Sequence, residues 1–374
     1  MLILSSAGGL IGGWWTHGTD VGCEGLVIDL DVDLARYLAA VECGDRREAI
    51  NVALAVVQRG VPAERVVTDL LARAQSEIGL GWQEGRWSVS MEHLASDITE
   101  SALQVVVHHA LSAPGAVREG SRGRVVVACS ESEGHVLPGR MAADVLRLRG
   151  VDVTFIGPSV PAYDLAEFLG DDLPGAVALA CSTPMSLVGA WRSIGALRAI
   201  GMTIVCGGRG FGPDGRWGLG LGADRWAPDF AAGADLLLSV VDAPAPAPRE
   251  PAGAPELIAE VLILSREHER LVQEATRIAF ATWPQLRDSD AAMRATREDL
   301  DATLQVIAAA TLVGDLRLVT DYVSWFEDVL TGHGLPPALV TSAFELLLGV
   351  LPAELVHASD VAMCGLASRS TKPA

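Results

Sequence analysis

The sequence has few aromatic residues, little positive charge and no long uninterrupted apolar segment. Lys and Arg number 28 against 47 Asp and Glu, so the formal net charge is −19. A nucleic-acid surface needs clustered Lys and Arg, so this balance argues against nucleic acid as a partner. No apolar run reaches the roughly 20 residues of a membrane span, and the apolar amino terminus lacks the positive region of a signal peptide. We expect a cytoplasmic protein that does not bind a membrane.

Cysteine is also scarce, and its spacing excludes the common metal and redox motifs. The six cysteines show no Cys-x-x-Cys pair, and three of them close apolar, strand-like runs. This pattern favours buried, reduced thiols over disulfides.

Changes in composition divide the chain of 374 residues into five segments. Residues 1–28 are rich in glycine and form a predicted arm. The helical pattern of 29–113 predicts a four-helix bundle, and residues 121–242 alternate strand and helix. Alternating Ala and Pro over 243–255 predicts a polyproline II linker. Residues 256–374 are predicted to form a second helical domain.

Local signals place the helices of the first bundle. Asp45 and Glu48 are spaced as a capping box, and Gly60 is a natural helix stop. Pro62 opens a third helix, and Ser88 caps a fourth that continues to His108 and His109.

The central segment predicts an α/β domain. Five short apolar runs are separated by helices or loops, which is typical of a parallel, doubly wound sheet. The predicted strands are 124–129, 151–156, 176–180, 202–206 and 236–241.

Polar and glycine-rich motifs follow three of these strands. Glu133-Gly134-His135 follows the first, Ser182 the third, and Gly207-Gly208 the fourth. Open α/β sheets bind ligands at the carboxyl ends of their strands, so these residues are expected to form one site.

This combination resembles the cobalamin-binding domain of methionine synthase, the mutases and the cobalamin photoreceptors. Their pattern is an acid-x-His-x-x-Gly loop, a Ser after the third strand and a Gly-Gly after the fourth; here Pro138 replaces the loop glycine. The resemblance implies that His135 is the lower cobalt ligand and that Glu133 fixes its tautomer. It also implies that Ser182 binds the displaced base, while Gly207 and Gly208 admit the nucleotide tail.

The preceding bundle resembles the sensory cap of the light-dependent MerR-type repressors, which bind adenosylcobalamin. Their Trp-x-x-Gly loop and Glu-His pair match Trp82, Gly85, Glu92 and His93. The resemblance implies that Trp82, Glu92 and His93 cover the adenosyl group on the upper face of cobalt. Gln83 stands where those repressors have a histidine, so the lit state is expected to differ.

We expect no DNA-binding domain within residues 1–28, because 28 glycine-rich residues cannot form a winged helix. A cobalamin photoreceptor followed by a helical domain resembles the photocobilins, which also bind biliverdin. Low-specificity candidates for biliverdin are Asp321, Tyr322, Trp325 and His333. Tyr322 and Trp325 lie at i, i+3, a spacing more often found in a helix core or interface than at a chromophore.

The last domain also contains a possible repeat of the first. Residues 29–45 align without a gap on 299–315, with eight identities in 17 positions. Each copy is followed by a helix and then by Gly-Val-Pro or Gly-Leu-Pro. A duplication and a chance match of common residues both explain this similarity.

Three functions are compatible with these features. The first is a light sensor that is not an enzyme, in which photolysis of the cobalt–carbon bond changes the domain arrangement or the assembly of a homo-oligomer and so signals to an unidentified protein partner. The second is a corrinoid methyl carrier for a separate methyltransferase. The third is a degenerate scaffold that binds no cofactor.

Overall fold

The computed structural model describes residues 30–117, 120–170 and 173–369. The predicted arm over 1–28 lies outside these residues. The first bundle contains four helices, and its third helix is continuous over 63–83 with a π-helical turn at Val66–Leu71. This third helix is called α3. The other three are α1 Asp31–Glu42, α2 Arg46–Gln58 and α4 Val89–Leu111.

The structure confirms the predicted helix caps at Asp45 and Ser88 and the predicted helix end at Gly60. The Asp45 side chain accepts a hydrogen bond from the Glu48 amide at the start of α2, and Ser88 accepts one from Met91 at the start of α4. Gly60, with φ of 91°, follows α2 in a conformation that strongly favours glycine.

The central domain is a five-stranded, fully parallel sheet in the order β2-β1-β3-β4-β5. The strands are β1 Arg124–Cys129, β2 Asp152–Gly157, β3 Ala176–Ala180, β4 Ile204–Gly207 and β5 Arg225–Ala227. The accompanying helices are α5 Val136–Leu148, α6 Ala162–Leu169, α7 Leu187–Ala199, α8 Arg216–Gly220 and α9 Phe230–Val240. This arrangement confirms the predicted doubly wound fold.

The predicted fifth strand was wrong. Residues 236–241 lie mostly in α9, and the fifth strand is the three-residue β5. The Asp229 side chain accepts a hydrogen bond from the Ala232 amide, so it caps α9 and starts a helix through the apolar run. Periodicity cannot distinguish a short buried helix from a strand, whereas Asp229 was an available sequence signal.

The carboxyl-terminal domain contains five helices in the part of the chain that is described. They are α10 Pro255–Thr282, α11 Asp290–Val313, α12 Arg317–Gly332, α13 Leu339–Leu348 and α14 Val356–Arg369.

The Ala/Pro segment before α10 is held against the sheet domain. The indole of Trp191 donates a hydrogen bond to the carbonyl of Ala252 at 2.9 Å, and Arg198 donates to the carbonyl of Glu250 at 2.9 Å. The guanidinium of Arg249 binds Asp224. The segment therefore follows the end of α7 closely.

Side chains of β1 alternate between two cores, as expected for a sheet covered on both faces. Val125 and Val127 belong to the core that includes the amino-terminal bundle, whereas Val126 and Ala128 belong to the core that includes the carboxyl-terminal domain. Trp82 differs from the rest of the bundle core: it belongs to a bundle helix, but its side chain is buried in the core that includes the carboxyl-terminal domain. The described residues include no helix long and apolar enough to span a bilayer.

Candidate functional site

His135 lies at the carboxyl end of β1, in the residue that precedes α5. Its Nδ1 is 2.5 Å from Oε1 of Glu133, and its amide donates to the same oxygen at 2.8 Å. Only 3% of the His135 side chain is exposed, and Glu133 is fully buried. The carboxylate therefore fixes both the backbone and the ring of the histidine.

The second oxygen of Glu133 connects the β1 loop to the β3 loop. Oε2 accepts hydrogen bonds from the amides of Ser182 at 2.6 Å and Thr183 at 3.3 Å. Burial opposes ionisation of Glu133, but the charge of His135 and these hydrogen bonds hold the carboxyl pKa below its usual value. Burial likewise opposes protonation of His135, yet Glu133 raises the imidazole pKa. In this pair the ionised carboxylate of Glu133 accepts a hydrogen bond from the protonated Nδ1 of His135.

A cavity of about 600 Å³ opens at the same edge of the sheet. It is bounded by the ends of β3 and β4, by α5 and by the start of α9. Its lining includes Ser182, Gly207, Gly208 and Pro138. A volume of this size is typical of small-molecule and cofactor sites.

Gly207 ends β4 and Gly208 follows it, and glycine is present at these two positions for different structural reasons. Gly208 has a φ of 100°, and a Cβ there would collide with the carbonyl oxygen of Cys181. A Cβ at Gly207 would meet only the Ala227 carbonyl, at 3.9 Å. The fold therefore requires glycine at 208, while glycine at 207 leaves room beside the cavity.

Pro138 is compatible with the His135 loop. It lies in the first turn of α5, where a backbone N–H has no partner within the helix, so proline removes no helix hydrogen bond. The neighbouring Gly139 makes the close approach, because a Cβ there would lie 3.2 Å from Cys129 Sγ and 3.3 Å from the Phe155 ring.

Glu92 and His93 lie in the first turn of α4. Glu92 is buried, and its Oε1 accepts a hydrogen bond from Ser96 at 2.7 Å. Its Oε2 has no hydrogen-bond partner among the described residues and lies 3.6 Å from Nδ1 of the half-exposed His93. Burial raises the pKa of Glu92, against the effects of Ser96, His93 and His135. The charge of His135 therefore favours the ionised form of Glu92.

Trp82 lies near the end of α3 and contacts the carboxyl-terminal domain. Its ring centroid is 6.5 Å from that of Trp325 and 5.9 Å from that of His333. Nε2 of His333 lies 3.0 Å from the Trp82 carbonyl oxygen. The indole nitrogens of Trp82 and Trp325 are both buried without a hydrogen-bond partner in the described structure.

The four biliverdin candidates do not surround one described cavity. Tyr322 and Trp325 are buried in an aromatic cluster, with 5.9 Å between their ring centroids. His333 contacts Trp82, whereas Asp321 lies at the cavity of the sheet domain.

Two cavity residues were given no role from the sequence. Arg209 directly follows Gly207-Gly208, a position that could have indicated it. Trp226, on β5, lines the cavity, and its buried indole nitrogen has no hydrogen-bond partner among the described residues. It was missed together with its strand.

These residues fit cobalamin. No cluster of three or more His, Cys, Asp or Glu capable of holding a metal occurs in the described ranges. The unpartnered Glu92 oxygen and the room beside Gly207 are compatible with hydroxyl groups and a nucleotide tail, respectively.

Comparison with known proteins agrees with this geometry. Two family models, each described as a B12 binding domain, match residues 33–106 and 123–232. The HTH-type transcriptional repressor CarH of Myxococcus xanthus is 34% identical over 131 residues. That alignment spans 35% of this chain and 41% of the repressor, so less than half of that protein is matched.

Three solved structures are more distant. The monomethylamine corrinoid protein of Methanosarcina barkeri has a TM-score of 0.49 at 16% identity, covering 57% of this chain and all of that one. A cobalamin-binding protein of Desulfitobacterium hafniense has a TM-score of 0.31 at 18% identity, with coverages of 57% and 100%. The methanol:cobalamin methyltransferase complex MtaBC of M. barkeri has a TM-score of 0.29 at 15% identity, and the match covers 58% of this chain and 83% of that one. Likenesses this small carry no information about function.

Proposed function

We propose that the chain binds adenosylcobalamin between the sheet and the amino-terminal bundle and acts as a light sensor. Both B12-binding domains and the partial similarity to CarH support this proposal. The observation that carries it is the convergence of two segments on one point. Glu92 lies near the start of α4 of the bundle, and His135 directly precedes α5 of the sheet domain. Arg140 of α5 pairs with Glu100 of α4 at 3.2 Å, so the two helices are in contact, and the charges of Glu92 and His135 each favour the ionised form of the other.

His135 holds the lower face in this proposal. Because Nδ1 is engaged by Glu133, cobalt would be bound through Nε2, and the carboxylate keeps the ring in the required tautomer and orientation. Glu133 also holds the amides of Ser182 and Thr183, so the same carboxylate positions the β3 loop beside the cavity. Ser182, Gly207 and Gly208 would contact the displaced base and its nucleotide tail.

Glu92, His93 and Trp82 hold the upper face. The buried Oε2 of Glu92 is an acceptor without a partner in the described residues, which suits a ribose hydroxyl. Adenosylcobalamin supplies a cobalt–carbon bond that green light breaks. The flat indole of Trp82 suits a flat adenine, so this residue would respond to the presence or absence of that group.

The contacts of Trp82 provide a route for the signal. The indole lies against Trp325 and His333, and the backbones of 83–85 and 332 approach closely enough that both Gly85 and Gly332 exclude a Cβ. A shift of Trp82 would therefore move α12. We propose that this movement alters the association of the chain with itself or with a protein partner.

Biliverdin is a further proposal that rests on resemblance to the photocobilins. Trp325 and His333 contact Trp82, and Tyr322 packs on Trp325, so a bilin bound among them would lie beside Trp82. Asp321 lies at the cavity of the sheet domain. Supplying biliverdin during expression and recording a red absorption band tests this proposal. A spectrum without that band contradicts it.

The light-sensor proposal is tested by reconstituting the chain with adenosylcobalamin in the dark. We expect its absorption spectrum and size-exclusion profile to change after green light. His135→Ala is the control for specific loading. Identical dark and lit profiles contradict switching, and equal affinity for methylcobalamin and adenosylcobalamin would favour the methyl carrier.

A further inference from the structure

Arg209 is the only cation among the described residues that line the cavity of about 600 Å³. The other charged residues of the lining are Asp229 and Asp321. The Asp229 side chain already accepts a hydrogen bond from the Ala232 amide at the start of α9. The cavity therefore combines mainly apolar walls with one guanidinium.

The backbone fixes the position of Arg209 before any ligand binds. Gly208 adopts a φ of 100°, and the amide of Gly210 donates to the Cys181 carbonyl at 3.0 Å. Phe211, the last residue of the same short 3₁₀ turn, is completely buried. The chain on both sides of Arg209 is thus anchored, so a ligand has to order the Arg209 side chain but not the backbone that carries it.

The environment of the guanidinium favours an anionic ligand. Burial lowers the pKa of Arg209 to about 9, because the charge is removed from much of its solvent. An anion in the cavity would offset this cost, and the planar guanidinium can donate two parallel hydrogen bonds to a phosphate.

We infer that Arg209 binds the phosphate of the corrinoid nucleotide tail and so selects corrinoids that carry this group. This inference rests on the proposed cobalamin binding. The tail contains one anionic group, the phosphodiester, and the cavity contains one cation beside the two glycines that would admit it. Arg209 is therefore a specificity residue, distinct from His135, which holds the metal.

Asp321 gives this selection a link to the carboxyl-terminal domain. It belongs to α12 yet lines the cavity of the sheet domain, and its carboxylate has the same sign of charge as the phosphate. Phosphate binding would thus be weakened by a residue of the neighbouring domain. Removing the charge of Asp321 should strengthen the binding of phosphate-bearing corrinoids.

The test compares aquacobinamide with aquacobinamide phosphate, which differ in the phosphate and lack the base. Dissociation constants come from absorption titrations of the full chain, as wild type, Arg209→Ala, Arg209→Lys and Asp321→Asn. We expect wild type to prefer the phosphate by roughly 10- to 100-fold, the range of a charge-assisted contact. Arg209→Ala should abolish the preference with unchanged aquacobinamide affinity, Arg209→Lys should retain part of it, and Asp321→Asn should increase it.

The outcomes separate this inference from the proposed function. A chain that binds no corrinoid contradicts both. If aquacobinamide binds and Arg209→Ala keeps the wild-type preference for phosphate, the inference is wrong while cobalamin binding stands. Unchanged aquacobinamide affinity in each variant also demonstrates that the protein remains folded.

Discussion

Two histidines of this chain, one in the sheet domain and one in the carboxyl-terminal domain, are held by carboxylates in nearly the same way. Oε1 of Glu133 accepts from the His135 amide and Nδ1, at 2.8 and 2.5 Å. Oε1 of Glu260 accepts from the His357 amide and Nδ1, at 3.0 and 2.7 Å. In each pair the second carboxylate oxygen accepts a further backbone amide.

Their surroundings differ. The His135 side chain is 3% exposed at the end of a strand, whereas that of His357 is 50% exposed in the first turn of α14. Glu260 satisfies the free amides at the start of α14, so its pair serves as a helix cap. Glu133 instead joins two strand-end loops beside the cavity. A histidine–carboxylate pair therefore indicates a metal site only when its position supplies burial and space for a ligand.

The most severe test of this distinction is the removal of each imidazole. His135→Ala should weaken cobalamin binding by more than about 100-fold, because the proposed protein ligand of the metal is lost. His357→Ala removes an equally well oriented ring and should leave the affinity within about twofold. Absorption titration with hydroxocobalamin measures both. Full affinity and an unchanged spectrum in His135→Ala would overturn the metal assignment.

The grouping of the strand-end residues could be predicted because it depends on local geometry. The carboxyl ends of parallel strands meet at one edge, so residues 133, 135, 182, 207 and 208 could be brought together from strand order alone. The short β5 was missed because three residues, Arg225-Trp226-Ala227, carry no periodic signal. The apolar run that follows was assigned to a strand because its Asp229 cap was overlooked.

Contacts between domains could not be predicted. Trp82 and His333 are separated by 251 positions, and the packing of α3 against α12 depends on how whole domains dock. The internal repeat, by contrast, has a structural counterpart. Gly44 and Gly314 are aligned and both have positive φ, at 68° and 62°, as do Gly60 and Gly334, which each precede a hydrophobic residue and a proline.

Trp82 and Trp325 are the two indoles at the contact between the amino-terminal bundle and the carboxyl-terminal domain, and we expect them to differ in their effect on cofactor affinity. Trp82→Phe should lower the affinity for adenosylcobalamin by roughly 10-fold while changing that for methylcobalamin little, because only the adenosyl group reaches the indole. Trp325→Phe, the matched substitution in the other bundle, should change both affinities equally. Dissociation constants measured in the dark give the ratio for each variant. An unchanged ratio in Trp82→Phe would refute its role in the upper face.

Glu92 in the amino-terminal bundle and Glu260 in the carboxyl-terminal domain are both buried, but we expect their ionisation to affect the free energy of unfolding in opposite directions. Burial raises the pKa of Glu92, so its ionisation destabilises the ligand-free fold as pH rises above the unfolded value of about 4.5. Despite burial, the amides of Ala358 and His357 lower the pKa of Glu260, so its ionisation stabilises the fold above the same value. At pH 7, Glu92→Gln should raise stability by about 1 kcal/mol and Glu260→Gln should lower it by a similar amount.

Thermal unfolding of the ligand-free variants between pH 3 and pH 7 measures these effects. The Glu92→Gln difference should shrink as pH falls towards about 4.5, because the Glu92 carboxyl group becomes protonated in the folded chain and then in the unfolded chain. The Glu260→Gln difference should persist to about pH 4.5 and shrink only below it, as pH falls through the lowered pKa of the folded state. A lower midpoint for Glu92→Gln at pH 7 would mean that the carboxylate has a stabilising partner, and this would argue against its role as an acceptor kept for ligand.

The smallest expected effect compares the aligned residues Asp45 and Asp315. Asp45 caps α2, a role that asparagine performs equally well, so Asp45→Asn should leave stability unchanged. Asp315 binds Arg317 and accepts from the Trp217 indole of the sheet domain at 3.1 Å, and the Arg317 interaction is the largest contribution that lowers its pKa to about 2. Asp315→Asn should cost at most about 1 kcal/mol, because solvent screens the exposed guanidinium. The lowered pKa places this stabilisation above pH 4 and removes it as pH falls towards 2, so the difference between the variants should decline over that range in thermal unfolding. A constant difference would show that the Trp217 hydrogen bond, and not the charge of Asp315, joins the two domains.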